Sequence, residues 1–343
     1  MLRKSFLVLL ALFMVLAMAL PAVAQDSTST SVADGLAFPR GIAFDADGNL
    51  YIAESGLGGE QTLLETEDVK ITGGLTGKVT KIAPDGTQSV VLAGLPSLFN
   101  PNEGAAVGVY RAVPSGDSLW LIFTDDTNLT LFSDSAVEID LPSMTVKHFI
   151  DLSAYEVANN PDGTEEILSN PGDIAVGPDG KIYIVDTGAN TLYSWTEADG
   201  LEVVHAWTDD PVPTSIEFAK NGDIYVGFLG KGLAPGAAKI EHRSADGSKL
   251  IETFSDLTTV TDILLTEAGD LYAVQIVVLG DQGPQPNSGS VVKVTADGAT
   301  TIVDGLNTPM GLAQDADGNL LVSTGSAFAE PGKGSILKIS MGS

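Results

Sequence analysis

The sequence contains no cysteine, and this absence excludes several kinds of site at once. Disulfides, thiolate ligands for zinc or iron–sulfur clusters and cysteine nucleophiles are all ruled out. Basic residues are also scarce: among 343 residues, 17 Lys and Arg stand against 45 Asp and Glu, a net charge of −28. Nucleic acid and anionic membrane surfaces are bound by clustered Lys and Arg, so we expect neither partner. The sequence also has no G-x-S-x-G elbow, no P-loop and no dinucleotide fingerprint.

The first 24 residues have the three parts of a Sec-type signal peptide. Arg3 and Lys4 supply positive charge, an apolar run covers 6–20, and residues 22–24 read Ala-Val-Ala. We predict cleavage between Ala24 and Gln25, a short flexible segment over 25–31, and a secreted or periplasmic protein. The alternative is an uncleaved anchor, but a bilayer needs about 20 apolar residues, more than this run supplies. No later stretch is apolar enough to span a membrane.

A short sequence motif, below called the repeated phrase, recurs along the rest of the chain: a glycine turn, a polar or small residue, and then alternating apolar residues. Its clear copies begin at Gly48, Gly180, Gly222, Gly269 and Gly318, and a degenerate copy begins at Gly116. The intervals from Gly48 to Gly318 average 54 residues. Each unit holds two strand–turn–strand pairs, often with Asp-Gly at the turn, and this pattern is typical of all-β proteins. The sequence therefore predicts one six-bladed β-propeller of four-stranded antiparallel blades over 32–341.

The two ends of the repeat predict how the ring closes. Residues 32–39 match 303–309, a fourth strand leading into a first strand, so the chain begins with an isolated fourth strand. The chain ends on a third strand at 335–339 that lacks its fourth. We expect the N-terminal strand to complete the last blade, because an open solenoid, the alternative, would leave unpaired strand edges. We expect the protein to be a monomer.

Propeller topology separates short turns from long loops. The turns within each strand pair fall on one face, here called the tight-turn face. Connections between the second and third strands, and between blades, fall on the opposite, loop-rich face, where binding residues concentrate. The polar residues expected near that face are candidate ligand-binding residues: Arg40, Glu54, Tyr155, Asn170, Asp173, Asp186, Thr214, Asp262 and Gln275. Each also has a purely structural interpretation: for example, Arg40 bridges neighbouring blades, or Asp186 caps its loop. No catalytic residue is assigned.

Four of these candidates form a possible metal set. Glu54, Asn170, Asp173 and Asp262 carry oxygen ligands, which suit Ca²⁺ rather than a soft metal. The stretch 45–49, Asp-Ala-Asp-Gly-Asn, looks like a calcium loop but lacks the distal glutamate of an EF-hand, so we predict a hairpin turn. The repeat places the histidines, His148, His205 and His242, on third or fourth strands, away from a central site.

The chain resembles the ScyD/ScyE family of secreted β-propellers, named after proteins of the scytonemin pigment locus. The matching stretches are 35–36, 39–44, 50–56, 94–97, 151–156, 159–163, 169–171, 186–190, 212–215 and 235–238. The text Ala-Tyr-Glu followed by Asn-Asn-Pro-Asp-Gly, within 154–163, is the specific part, because it lies in an inter-blade loop that the fold does not dictate. The resemblance implies an exported six-bladed propeller, NHL-like in architecture, of largely unassigned activity.

Three functions are consistent with the sequence. The first is a non-catalytic exported propeller that binds a small molecule or protein partner through its loop-rich face. The second is a metal-dependent hydrolase similar to six-bladed lactonases, in which a central Ca²⁺ polarises a carbonyl. The third is a quinoprotein sugar dehydrogenase, against which the positions of the histidines argue. We favour the first and keep the hydrolase as its alternative.

Overall fold

The computed structural model describes residues 29–66, 69–101, 104–125, 130 and 132–341. The predicted signal peptide and the predicted cleavage site between Ala24 and Gln25 lie outside these residues. Within them, no helix is both long and apolar enough to cross a membrane.

Short strands make up most of the described chain. The first ten are β1 (Ser29–Leu36), β2 (Pro39–Phe44), β3 (Leu50–Glu54), β4 (Gln61–Glu65), β5 (Lys70–Ile82), β6 (Gln88–Asn100), β7 (Ala105–Ser115), β8 (Ser118–Thr124), β9 (Ser135–Asp140) and β10 (Thr145–Asp151). The helix α1 (Leu152–Asn159) follows.

After α1 the chain returns to strands. They are β11 (Pro171–Val176), β12 (Ile182–Asp186), β13 (Thr191–Thr196), β14 (Gly200–Ala206), β15 (Pro213–Phe218), β16 (Ile224–Phe228), β17 (Ala238–Arg243), β18 (Leu250–Leu257), β19 (Val260–Leu265) and β20 (Leu271–Gln275). The last are β21 (Leu279–Gly280), β22 (Gly283–Pro284), β23 (Gly289–Thr295), β24 (Gly298–Leu306), β25 (Leu312–Gln314), β26 (Leu320–Thr324) and β27 (Gly334–Ile339). One turn of 3₁₀ helix covers Lys231–Leu233.

The strands pair antiparallel in sheets that follow chain order. Four sheets have four strands each, in the orders β11-β12-β13-β14, β15-β16-β17-β18, β19-β20-β23-β24 and β1-β27-β26-β25. A nine-stranded sheet runs from β10 through β9, β8, β7, β6, β5 and β3 to β2, with β4 beside β5. The sheet is continuous because the ends of β6 and β7 pair, with Asn100 opposite Ala105.

The first and last parts of the chain share one sheet, as the repeat predicts. Thr30 on β1 lies opposite Lys338 on β27, and Leu36 lies opposite Gly334. The strand begins at Ser29, so residues 29–31 belong to it rather than to the flexible segment predicted over 25–31. The extra residues pair because β27 extends far enough to meet them at Ile339.

The innermost strands enclose a common axis. β2 contacts β7, β7 contacts β11, and the series continues through β15, β19 and β25, which contacts β2 again. The hydrophobic core lies in layers between neighbouring sheets: Tyr183 and Val185 on β12 pack against Ile224 and Val226 on β16. The outer strands, such as β10, are mostly exposed. Polar groups that line the axis are therefore held by strands with packed side chains on both flanks.

The stretch 154–163, predicted to lie in an inter-blade loop, is helical up to Asn159. The Asp151 side chain accepts a hydrogen bond from the Ala154 N–H at 2.8 Å and caps α1. Asn160 ends the helix in the left-handed conformation, with φ of 41°. The helix is short and weakly amphipathic, so the apolar periodicity that would reveal it is absent.

Candidate functional site

The innermost strands share an irregularity that sets which side chains face the axis. Where β7, β11 and β19 pair with their neighbours, the register shifts just before Arg111, Asp173 and Asp262. Similar shifts occur in β2 and β15. A bulge of this kind changes the direction of the next side chain, and bulges are frequent beside functional sites. Arg111, Asp173 and Asp262 therefore occupy equivalent positions on their strands.

Arg111 binds both aspartates. Its Nε and Nη2 donate to Asp173 Oδ1 and Oδ2 at 2.5 and 2.9 Å. Its Nη1 and Nη2 donate to Asp262 Oδ2 and Oδ1, each at 2.8 Å. Both carboxylates are thus held in the two-pronged geometry that guanidinium groups favour. The Arg111 side chain is 12% exposed and those of the aspartates 2%, so the charges meet almost out of water.

The same carboxylates also accept backbone hydrogen bonds from neighbouring strands. Asp173 Oδ2 accepts from the Ile216 N–H on β15 at 3.0 Å, and Asp262 Oδ2 accepts from the Leu312 N–H on β25 at 2.8 Å. Each aspartate also accepts from the N–H of the residue that follows it. The three side chains therefore connect five of the strands around the axis. We call Arg111, Asp173, Asp262 and the nearby Glu217 the axial cluster.

Gly41 leaves the space that the Arg111 side chain occupies. A Cβ at position 41 would lie 2.2 Å from Arg111 Cδ and 2.9 Å from Nη1. Gly311, just before β25, is also close-packed, but against the backbone of β2, since a Cβ there would lie 2.6 Å from the Arg40 carbonyl oxygen. Arg111 on β7 and Gly41 on the adjacent β2 are thus sterically complementary.

A cavity of about 390 Å³ adjoins the axial cluster. Arg111, Asp173 and Glu217 line it, together with apolar residues such as Val113 and Leu264. It also reaches Phe44, Val176 and Gln314, which precede turns of the tight-turn face. Burial, reinforced by Asp262 and Asp173, raises the pKa of Glu217 well above its usual range, although Arg111 opposes the shift. The sequence predicts a site on the loop-rich face, whereas this cavity lies toward the other face.

A second group of buried carboxylates lies near α1 on the loop-rich side: Asp134, Glu156, Asp162 and Asp186, here called the α1 acid group. Hydroxyl and amide donors serve three of them: Asp134 accepts from the Asp125 N–H, Asp162 from Asn190, and Asp186 from Ser169. Glu156 is 1% exposed, and in the part of the chain that the structure describes both its carboxylate oxygens lack a hydrogen-bond partner, as does the nearby Tyr193 hydroxyl. Within the described ranges, none of the four forms an ion pair with Lys, Arg or His.

Burial shifts the pKa values of this group upward. Burial, with Asp162 and Asp186 adding repulsion, raises the pKa of Glu156 from 4.5 to about 7. Burial, with Asp186 and Asp125, raises the pKa of Asp134 from 3.8 to about 8. Burial also raises the pKa of Asp186, against the hydrogen bonds that it accepts. Protons, rather than cationic side chains, neutralise part of this group near neutral pH.

Arg40 and Glu54 are both buried and fully engaged by their own surroundings. Arg40 donates to the Ala106 carbonyl at 2.6 Å and to Met310 Sδ at 3.3 Å, and its guanidinium lies 5.6 Å from the centre of the Tyr110 ring. Glu54 accepts from the Ala37 N–H at 2.8 Å and lies 3.3 Å from Lys78 Nζ.

The remaining candidates are distributed over several sheets. Asn170 bonds with Thr124, and Tyr155 packs edge-on against Tyr193 at 5.3 Å. Thr214 donates to the Val260 carbonyl, and Gln275 accepts from the Thr258 N–H. Among the nine candidates, Arg111 joins Asp173 and Asp262, and the Asn170 N–H donates to Asp186 at 2.8 Å.

The proposed metal ligands do not fit a single ion. Within the described residues, no three His, Cys, Asp or Glu side chains form a group that could hold a metal, so Glu54, Asp173 and Asp262 do not assemble as one. Asp173 and Asp262 already share a guanidinium, whose positive charge stands where a cation would have to bind. The stretch 45–49 forms the predicted hairpin turn, in which Asp45 accepts from the Asp47 and Asn49 N–H groups and Gly48 has φ of 80°.

Arg111, Glu217 and Glu156 were not among the candidates that the sequence indicates. Arg111 belongs to the degenerate second unit, where the repeated phrase is hardest to align. Once aligned, its position is that of Asp173 and Asp262, which is a signal that could have found it. Glu156 stands in the loop text that resembles the ScyD/ScyE family, although nothing in the sequence shows that its carboxylate is buried.

Comparison with solved structures identifies the architecture. A gluconolactonase from Xanthomonas campestris superposes with a TM-score of 0.58 at 12% identity, over 92% of this chain and 90% of that chain. Virginiamycin B lyase from Staphylococcus aureus gives 0.51 at 14% identity, covering 92% and 99%. An aldose sugar dehydrogenase from Streptomyces coelicolor gives 0.54 at 13% identity, also covering 92% and 99%.

The fold is a β-propeller. Its similarity to gluconolactonase and virginiamycin B lyase propellers supports an NHL-like type. The identities are too low to carry over any activity. No family model matches the sequence, and the search of curated proteins gives no match.

Proposed function

We propose that the chain is an exported, six-bladed propeller of the ScyD/ScyE type that binds a ligand or partner and does not hydrolyse substrates through a central metal. The pairing of Arg111 with both Asp173 and Asp262 carries this proposal. A lactonase-type centre would need these carboxylates free to bind Ca²⁺. Here they neutralise an arginine and accept backbone hydrogen bonds, so they act as fixed parts of the scaffold.

The count of six blades is supported by the innermost strands. Dividing the nine-stranded sheet between β6 and β7 gives two four-stranded units, with β4 as an additional strand. β2, β7, β11, β15, β19 and β25 are then the first strands of six units, and their contacts close in a ring. The proposal of export depends on residues 1–24, which have the pattern of a signal peptide. The proposed family assignment depends on the loop sequence that matches the ScyD/ScyE family.

The loop-rich face offers a surface for a partner. The connection from β3 to β5 forms an additional hairpin with β4, and Leu57, Leu64 and Leu75 on or beside it are exposed. The Leu57 N–H donates to Thr76 Oγ1 at 2.8 Å, which places Leu57 beside the segment that carries Leu75. Exposed apolar side chains grouped on a loop-rich face are typical of binding surfaces.

The metal-independent proposal is tested by thermal unfolding. We expect the same Tm in EDTA and in millimolar Ca²⁺, because a ligand that binds only the folded state raises Tm and no such ligand is required here. Mg²⁺ at equal concentration controls for ionic strength. A Ca²⁺-specific increase in Tm that EDTA reverses would overturn the proposal.

The second candidate is a lactonase-like hydrolase, favoured by the similarity to a gluconolactonase propeller. The wild type and an Asp262→Asn variant are assayed on a panel of lactones with Ca²⁺ present. We expect no hydrolysis above the buffer rate from either protein. Hydrolysis by the wild type that Asp262→Asn abolishes, with a Glu330→Gln control unchanged, would establish the hydrolase instead.

A further inference from the structure

Six side chains at equivalent strand positions line the cavity beside the axial cluster. One of them is a carboxyl side chain, and the other five are apolar. The six innermost segments carry equivalent residues at the level of the axial cluster: Gly41, Arg111, Asp173, Ser215, Asp262 and Gly311. Two residues later, in the same order, they carry Ala43, Val113, Ala175, Glu217, Leu264 and Ala313. All six of these later residues line the cavity. Five make an apolar wall, and Glu217 is the exception.

Among the described residues that line the cavity, Glu217 has no free cationic partner. Arg111 is the one basic residue among them, and its guanidinium already bonds the carboxylates of Asp173 and Asp262. With Glu217 ionised, the cluster carries three negative charges against one positive charge. The Phe218 N–H is a donor to Glu217, but it supplies no charge. Glu217 is partly buried, and a carboxylate held in such a negative setting favours neutralisation by a proton or by a cation from solution.

The approach to the cavity is also acidic. Each of the turns between first and second strands carries at least one carboxylate: Asp45, Asp47, Asp117, Asp179, Asp223, Glu267, Asp270, Asp315 and Asp317. Lys181 and Lys220 are the basic residues of these turns. Lys293 and Lys338 from neighbouring strands pair with Asp270 and Asp315, each at 2.7 Å, so the carboxylates still outnumber the lysines. A ring of like charges at an opening concentrates ions of the opposite sign.

We propose that the axial cavity binds a small organic ammonium ion, with the ammonium group on the Glu217 carboxylate and its apolar part against Val113, Leu264 and the alanines. The volume of about 390 Å³ suits a compact ligand. A hydrated inorganic cation would leave the apolar wall unused, and an anion would meet the net negative charge of the cluster. This site goes beyond the proposed function, because it names a ligand class and lies toward the tight-turn face.

Binding is expected to release a proton. The charged groups that face Glu217 are Arg111 from β7, Asp173 from β11 and Asp262 from β19, while β2 and β25 present Ala43 and Ala313. In the empty cavity this net negative surrounding keeps a proton on Glu217. A bound ammonium ion neutralises the Glu217 carboxylate in place of the proton, and the proton is released to the buffer.

The test uses the mature protein with n-butylammonium chloride, and with sodium butanoate and 1-butanol as probes of equal chain length. At about 10 mM, enough to detect a millimolar Kd, butylammonium is expected to raise Tm by about 2 °C or more and the other two to leave it unchanged. Calorimetry in two buffers of different ionisation enthalpy should show a net release of protons on binding. Glu217→Gln should abolish the response, and Glu330→Gln, an exposed carboxyl outside the cavity, should retain it.

Several results would overturn the proposal. One is no response to butylammonium; another is an equal response to butanol, which would show apolar binding alone. An undiminished response in Glu217→Gln would place the ammonium elsewhere. If Glu217→Gln does not fold, Glu217→Asp decides, since a shortened carboxylate should weaken binding several-fold. None of these outcomes bears on Ca²⁺ or lactones, so this inference and the proposed function fail separately.

Discussion

Two groups of buried carboxylates in this propeller are neutralised in different ways. On the axis, Asp173 and Asp262 share the Arg111 guanidinium at 2.5 to 2.9 Å and also accept backbone N–H groups. Near α1, Glu156 is equally buried, yet among the described residues neither of its carboxylate oxygens has a hydrogen-bond partner. Hydrogen bonds from the chain itself hold the two axial aspartates, whereas Glu156 depends on a proton from solution.

The difference follows from what each group connects. The axial cluster joins innermost strands from separate sheets, so a fixed ion pair helps to set how the sheets meet around the axis. The α1 acid group joins a helix and a loop to one edge of the β11–β14 sheet, where Asp186 accepts the Asn170 N–H at 2.8 Å. A change of protonation there can alter a loop without disturbing the ring.

Arg111→Met should give the largest loss of stability. It leaves two buried carboxylates without their counter-ion, and breaking a buried pair in this way costs about 3–5 kcal/mol. Denaturant unfolding measures the free energy of unfolding, with Lys70→Met as the control, since the Lys70–Glu65 pair is exposed and contributes less than about 1 kcal/mol. Equal effects of the two substitutions would show that the axial pairing is not structural.

Glu156→Gln should have an intermediate effect whose size depends on pH. The folded state holds the Glu156 proton up to about pH 7, while the unfolded chain releases it near 4.5. Its contribution to stability is therefore complete below pH 4.5 and is lost as pH rises through 7. The neutral variant should gain about 2 kcal/mol on the wild type at pH 8 and little at pH 5.

The measurement is unfolding free energy at intervals from pH 5 to 8, with Glu330→Gln as an exposed control of equal charge change. Asp134, with its pKa of about 8, should leave a residual decline in the variant. A wild type whose stability rises over this range, or a variant with an unchanged slope, would contradict the assignment of a proton to Glu156.

Gly41→Ala should have the smallest effect of the three. The added Cβ meets Arg111 Cδ at 2.2 Å, and overpacking of this kind costs about 1–3 kcal/mol. In an Arg111→Ala background the clashing atoms are gone, so the same substitution should cost clearly less. Gly280→Ala is the control, because its nearest neighbour is the flexible Gln285 side chain. Full additivity of the Gly41 and Arg111 substitutions would mean that the two residues do not share space.

Much of the fold could be predicted from the sequence because the turn residues recur with each repeat. The phrase around Gly48, Gly180 and Gly318 indicates the strand pairs, and the match of 32–39 with 303–309 indicates that β1 joins the last sheet. The helix α1 could not be predicted, since a cap at Asp151 supports it rather than an apolar stripe.

The candidate site was only partly predictable. Repeat position places Asp173 and Asp262 near the axis, and they do meet there, but through an arginine from a unit whose repeat is degenerate. Whether two acids on one axis bind a cation or pair with a side chain depends on the adjacent strands, here Arg111 and Gly41. For Glu156 the deciding fact is burial by α1, which a local motif does not reveal.

Calorimetric titration of the wild-type protein with Ca²⁺, beside Asp262→Asn, tests most directly whether Arg111 occupies the axial aspartates in place of a metal ion. We expect no saturable binding that depends on Asp262, because both carboxylates are already held by the guanidinium. One Ca²⁺ bound by the wild type and lost in Asp262→Asn would contradict this account and make the axis a metal centre.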